Sequence, residues 1–288
     1  MSHVMRRVVR RQAGFSLVEL ILVIVLIGII GGVLTMQLVP AIQSYLLISQ
    51  RAGLTSQADT ALRRITTEVR AAVPNSLRLN NAQCLDFVPT RDGGRYRMGP
   101  DTARTDTSHI NDAETGAAFD VLTPLNALPS ENDAIVIGNR SPADVYSGAN
   151  VGTVAATTGP APSAQAGISR IVLKAPIQIP SGYDGGRFVV VPDGQRVVTY
   201  LCTQGVDAAG NGAGSLVRFA RNTFAAPPLC TAPAGAALVE TRVSACSFVV
   251  YANQGATQDS GYVQLQLTLT ERGESVPLTI GAHIDNLP

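Results

Sequence analysis

The sequence predicts an α+β protein in which one long N-terminal helix, membrane-spanning and then amphipathic, packs on a mainly antiparallel β-rich head. Three stretches carry that prediction. From Phe15 to Leu38 the chain is apolar, and its only ionisable side chain is Glu19. From Leu54 to Val73 apolar residues recur at gaps of three and four. From Tyr262 to Thr270 apolar and polar residues alternate without a break.

The first stretch is long enough to cross a bilayer. As a helix it would reach roughly 36 Å, against a hydrocarbon core of about 30 Å. Arg6, Arg7, Arg10 and Arg11 precede it with no acidic residue, which orients the leader to the cytoplasm. Gly28-Ile29-Ile30-Gly31-Gly32 supplies small residues that let helices approach closely. An anchor alone does not explain Glu19. A carboxylate costs about 2.5–3.5 kcal/mol at the centre of a membrane helix and less near the interface, so it needs a partner.

The uncharged segment continues to Gln50, and the amphipathic half follows. Leu54, Ala58, Ala61, Leu62, Ile65, Val69 and Val73 share one helical face, with Arg51, Asp59, Arg63, Glu68 and Arg70 mostly off it. Pro40 removes one backbone hydrogen bond and is expected to bend the helix. Pro74-Asn75 should end it, giving one helix from about Phe15 to Val73. The expected divisions are a leader over 1–14, helix halves over 15–40 and 41–74, and the head over 75–288.

Beyond Leu77 the signals turn to short strands. Gln83–Val88, Ala134–Ile137, Ile168–Lys174, Arg187–Val191, Arg196–Cys202, Leu216–Phe219 and Ser247–Tyr251 are β-rich runs. Asp92-Gly93-Gly94, Asp184-Gly185-Gly186 and Pro192-Asp193-Gly194 read as turns between them. The tail strand should fold back at Arg272-Gly273-Glu274 into a partner from Val276 to Ile284. One apolar face then packs against the amphipathic helix. Gly99–Gly116 and Ser141–Gly167 have the composition of loops.

Composition excludes several functions. The whole chain carries +1, and removing the four leader arginines leaves 18 basic against 21 acidic side chains, or −3. That balance implies no nucleic-acid partner. Of the three histidines, His3 lies in the leader, His109 in a polar loop and His283 near the tail. No Gly-x-Ser-x-Gly elbow or phosphate-binding loop accompanies them, so no catalytic residue and no cofactor is assigned. Asp207 to Gly212 lacks the third-position ligand of a calcium loop and has Arg218 where the closing Glu belongs. Asp101, Asp106, Asp112 and Glu114 form an acidic loop expected to be solvated. No Cys-x-x-Cys spacing supports zinc, so no metal site is assigned.

Cys84, Cys202, Cys230 and Cys246 all follow the apolar run, which suits disulfides in an oxidising compartment. Four cysteines allow three pairings that sequence alone does not separate. The preferred one joins Cys202 to Cys230, closing a short excursion after a strand. It also joins Cys84 to Cys246, tying the start of the head to a later strand.

Gly14-Phe15-Ser16-Leu17-Val18-Glu19, after a basic leader and before an apolar run, resembles the processing site of type IV prepilins and type II secretion pseudopilins. The resemblance implies cleavage between Gly14 and Phe15 by a prepilin peptidase, followed by N-methylation of Phe15. Glu19 becomes the fifth mature residue. There it could neutralise the new α-amine of a neighbouring subunit inside an apolar filament core, setting subunit register. The implied partners are other major and minor pilins, an inner-membrane assembly platform and the membrane itself. The implied location is the inner membrane, with the head in the periplasm, and afterwards a surface pilus. Cys84-Leu85-Asp86-Phe87-Val88-Pro89, Tyr200-Leu201-Cys202, Val243 to Phe248 and the ending His283 to Asn286 resemble minor pilins of mannose-sensitive haemagglutinin (MSHA) pili. One departure is Met36 at the twenty-second mature position, where major pilins carry a helix-breaking Pro; Pro40 follows four residues later. The same features would suit a minor pseudopilin. The rival of another class is a membrane-anchored periplasmic enzyme or carbohydrate-binding module.

Overall fold

The computed structural model describes residues 14–224, 229–251 and 260–285. The leader arginines, His3 and Asn286 lie outside them. Helix α1 (Leu17–Arg70) runs unbroken through Pro40. The chain divides into two compact units, Met1–Ala52 and Gly53–Pro288. In the first, every described residue up to Ser49 is exposed.

In the second unit the helix follows its spacing. Leu54, Ala58, Ala61, Leu62, Ile65 and Val69 are all buried. Thr66 joins them because its hydroxyl donates to the Leu62 carbonyl at 2.8 Å. The helix stops at Arg70, earlier than expected. The Val73 N–H donates to the Val88 carbonyl at 2.8 Å, and Ala72 bridges to Pro89. Strand-like pairing has therefore begun before Pro74, and it competes with the last helical turn.

The strands are β1 (Arg78–Asn81), β2 (Cys84–Phe87), β3 (Asp92–Arg95), β4 (Gly116–Val121) and β5 (Ala134–Ile137). After a short helix, α2 (Pro142–Ser147), come β6 (Val151–Thr153), β7 (Gly159–Pro160), β8 (Ser169–Ile177) and β9 (Arg187–Val191). Then follow β10 (Val197–Cys202), β11 (Gly214–Arg221), β12 (Ala237–Tyr251), β13 (Ser260–Glu271) and β14 (Glu274–Asp285). They form a seven-stranded sheet in the order β1-β2-β10-β11-β12-β13-β14, a four-stranded sheet β3-β9-β5-β6 and a three-stranded sheet β4-β8-β7. Every pairing between them is antiparallel. Because β2 and β10 are neighbours, the segment between them is an insertion that builds both smaller sheets.

The large sheet packs one face on the helix. Leu85, Phe87, Val198, Tyr200, Val263, Leu265, Leu267 and Leu269 form one core with Leu54, Leu62 and Ile65. Each such side chain contributes roughly 1.5–3 kcal/mol by leaving water. The tail hairpin turns at Arg272 (φ 50°) and Gly273 (φ 81°), with Glu271 paired to Glu274. Two positive φ values suit the right-handed twist of the strands it joins. The helix is also held by charge: Arg218 on β11 meets Glu68 at 2.8 Å.

The second face of the large sheet carries a buried carboxylate. Asp86 is fully buried and accepts from Arg78 Nη2 at 3.0 Å, Arg221 Nη2 at 2.8 Å and the Thr199 hydroxyl at 2.6 Å. The Arg78 guanidinium also lies 3.6 Å from the ring centre of Tyr146 on α2. A second core fills the insertion, where Tyr96, Phe119 and Phe188 meet edge to face at 5.2–6.5 Å.

Several expectations are corrected. Asp92-Gly93-Gly94 is no turn but most of strand β3, because pairing with β9 overrides its turn-like composition. Ser141–Gly167 is not a plain loop, since it contains α2, β6 and β7. At Gly152 a Cβ would lie 2.7 Å from Leu173 Cδ1, so a larger residue there would have to displace that side chain. The disulfides join Cys84 to Cys230 and Cys202 to Cys246, not Cys202 to Cys230 and Cys84 to Cys246. The pleat explains why. Cys84 stands opposite Leu201 on β10, so Cys202 points to the other face of the sheet. There it meets Cys246 in the helix-side core, while Cys84 packs with Leu201, Phe219 and Cys230 on the far side.

Candidate functional site at the start of the helix

Gly14, Phe15 and Ser16 precede the first helical residue, Leu17. The Ser16 hydroxyl accepts the Glu19 N–H at 3.2 Å, and the Ser16 carbonyl accepts the Leu20 N–H at 3.1 Å. Ser16 is thus the N-cap and Glu19 stands in the first turn, where the exposed N–H groups favour a negative charge. Ser16 is a residue that reading by charge alone misses. Its signal is the Ser-x-x-Glu spacing just before an apolar run. No described residue pairs with the Glu19 carboxylate.

The segment behind it is apolar all round. Phe15 is 80% exposed, and Leu17 to Ile48 present exposed apolar side chains on every face. The helix has a window of mean hydropathy 3.0 with none of it buried, so it is long and apolar enough to cross a membrane. A helix without a polar face is not stable in water and needs lipid or other helices around it. Residues 9–35 match the prokaryotic N-terminal methylation motif. The chain therefore carries the motif of type IV prepilin-like proteins, and its match ends inside the apolar helix. Neither a curated protein nor a solved structure matches the chain.

Among the described residues the remaining candidates assemble no second centre. His109 lies in the loop before β4, and His283 sits exposed on β14, its ring 5.3 Å from that of Tyr262. Among the described residues no group of three or more His, Cys, Asp or Glu side chains could hold a metal ion. Asp207 accepts the N–H groups of Ala209 and Asn211 at 2.9 and 2.8 Å, and these backbone donors lower its carboxyl pKa. Its carboxylate closes a turn.

The acidic loop is tied down more than its composition suggests. Asp106 accepts from Arg104 Nη2 at 2.6 Å and from the Ser163 hydroxyl at 2.8 Å. Asp112 accepts the Gly182 N–H at 2.7 Å. The Arg104 hydrogen bond, aided by Ser163, holds the Asp106 carboxyl at about 2, below its ordinary 3.8. A depressed carboxyl favours the folded loop above the unfolded value, and that contribution disappears as pH falls through the folded one. Carboxyl chemical shifts should therefore place Asp106 well below an ordinary Asp, and Arg104→Ala should return it toward 3.8. An unchanged midpoint in that variant would contradict the assignment.

Proposed function

We propose that the chain is a minor pilin, a non-enzymatic subunit of a type IV pilus of the MSHA type that helps to initiate or cap filament assembly. What supports this most is one coincidence: the methylation motif runs into an apolar stretch, Phe15 to Leu38, whose only ionisable side chain is Glu19. A prepilin peptidase cuts between Gly14 and Phe15, and the new Phe15 amine is methylated. The helix then leaves the inner membrane for a shared core of pilin helices. That transfer costs little hydrophobic energy, because both surroundings are dry and apolar. Glu19 meets the amine of an adjoining subunit, and the pair sets axial register; either charge buried alone would be costly. The two disulfides suit a head exported to an oxidising compartment.

A minor pseudopilin of a type II secretion system would use the same helix and the same Glu19. Gene neighbourhood separates those two. A membrane-anchored enzyme or carbohydrate-binding module needs only an anchor. Glu19→Ala decides between subunit and anchored domain. Expressed with its assembly system, the variant should be processed and disulfide-bonded but absent from sheared filaments. Incorporation at the wild-type level would contradict the pairing role.

A further inference from the structure

An apolar groove that the pilin reading does not use lies where the insertion meets the segment just after α1. It has a volume of about 460 Å3 and is formed in part by Val73, Pro74, Gly93, Val136 and Val189, with Arg95 and Arg187 also lining it. A few hundred cubic ångströms with apolar walls and a few polar groups is the size and character of a small-molecule site.

Strand register builds its floor. Val136 pairs with Val189, and Val189 pairs with Gly93, so these three positions form one row on one face of the sheet. Gly93 has no side chain to fill that row, and a Cβ there would come 2.8 Å from the Phe188 carbonyl. The next row on the same face pairs Arg187 directly with Arg95. Two like charges opposite each other on neighbouring strands destabilise a sheet. Both side chains are exposed, and no described residue forms an ion pair or a hydrogen bond with either guanidinium. The nearby Asp92 forms no ion pair with them: it alternates to the opposite face of β3, where its two oxygens accept the N–H groups of Gly93 and Asn126 at 2.8 and 2.7 Å. Elsewhere in the head, arginines beside carboxylates are paired, as at Asp86, Asp120 and Asp133. Two unpaired guanidiniums at the rim of an apolar groove are complementary to an acid group on an apolar body. Planar guanidiniums match the two oxygens of a carboxylate.

We propose that this groove binds a small organic anion, its carboxylate held between Arg95 and Arg187 and its apolar body lying over Gly93, Val136 and Val189. Calorimetric titration of the full chain in detergent micelles tests it, with 3-phenylpropionate as probe and empty micelles as reference. 3-Phenylpropanamide, which keeps the ring and loses the charge, should bind at least about tenfold more weakly. Acetate, which keeps only the charge, should do the same. Arg95→Gln and Arg187→Gln should each weaken 3-phenylpropionate by about tenfold, and the double variant should abolish its heat. Without ligand, each single variant should melt no lower than the wild type, since it relieves a like-charge contact. Equal binding of acid and amide, or binding that survives the double variant, would overturn the proposal. A fall in the ligand-free melting temperature would overturn it too, by making the pair structural.

Discussion

Asp86→Ala should destabilise the head by about 3–5 kcal/mol, the cost of leaving buried charges without their counter-ion. The carboxylate is fully buried, and Arg78 and Arg221 both converge on its Oδ2. Arg221 is itself only 10% exposed, so water replaces little of what it loses. For a domain of this size each kcal/mol moves the melting temperature by about 2–4 °C, so a drop of roughly 6–20 °C is expected. Asp86→Asn keeps the shape and can still accept from Thr199, so it should fall in between. A double-mutant cycle with Arg221→Met separates attraction from desolvation. If the pair is coupled, the double variant should be more stable than the sum of the single losses implies. Additive losses would mean that Arg221 and Asp86 act independently.

Opening the disulfides should have the next largest effect. Removing either as a Cys→Ser pair should cost about 2–4 kcal/mol. Cys84–Cys230 spans 146 residues of sequence and Cys202–Cys246 spans 44. In the chain-entropy account the longer loop restrains the unfolded chain more, by roughly 1 kcal/mol. Denaturant melts of Cys84→Ser/Cys230→Ser and Cys202→Ser/Cys246→Ser measure both losses. Non-reducing peptide mapping checks the connectivity directly. A Cys84–Cys246 peptide would contradict the placement of Cys84 and Cys202 on opposite faces of one sheet.

That placement shows where sequence reasoning ran out. The amphipathic half of the helix was legible because its burial follows the 3.6-residue period, from Leu54 to Val69. The tail hairpin was legible because β13 alternates and Arg272-Gly273 supplies its turn. Cysteine pairing depends on which face of β2 and β10 each sulfur occupies, and that depends on register between strands far apart in the chain. Asp92-Gly93-Gly94-Arg95 misled for the same reason: local composition favours a turn, while pairing to β9 makes it a strand. The first half of β12 was hidden by its mixed polarity and by Arg242, which has φ 58° where the ladder shifts. Helix α2 was the avoidable miss. Ser141-Pro142 with Asp144 is a start signal, and Asp144 accepts the Ser141 N–H at 3.0 Å.

The candidate site divides along the same line. Gly14, Phe15 and Glu19 stand in one short stretch and needed no fold to be noticed. Ser16 was readable from its spacing to Glu19 and acquires its capping role only once Leu17 begins the helix. Arg95 and Arg187 lie far apart in the chain, and only the register of β3 on β9 makes them neighbours.

The claim on which the account rests is that the apolar helix is kept after a cut that frees the amine of Phe15. Intact mass of the protein recovered from membranes, read together with N-terminal sequencing, tests it in one step. The account predicts a chain beginning at Phe15 and carrying one methyl group. A chain beginning at Met1, or anywhere beyond Leu38, would contradict it.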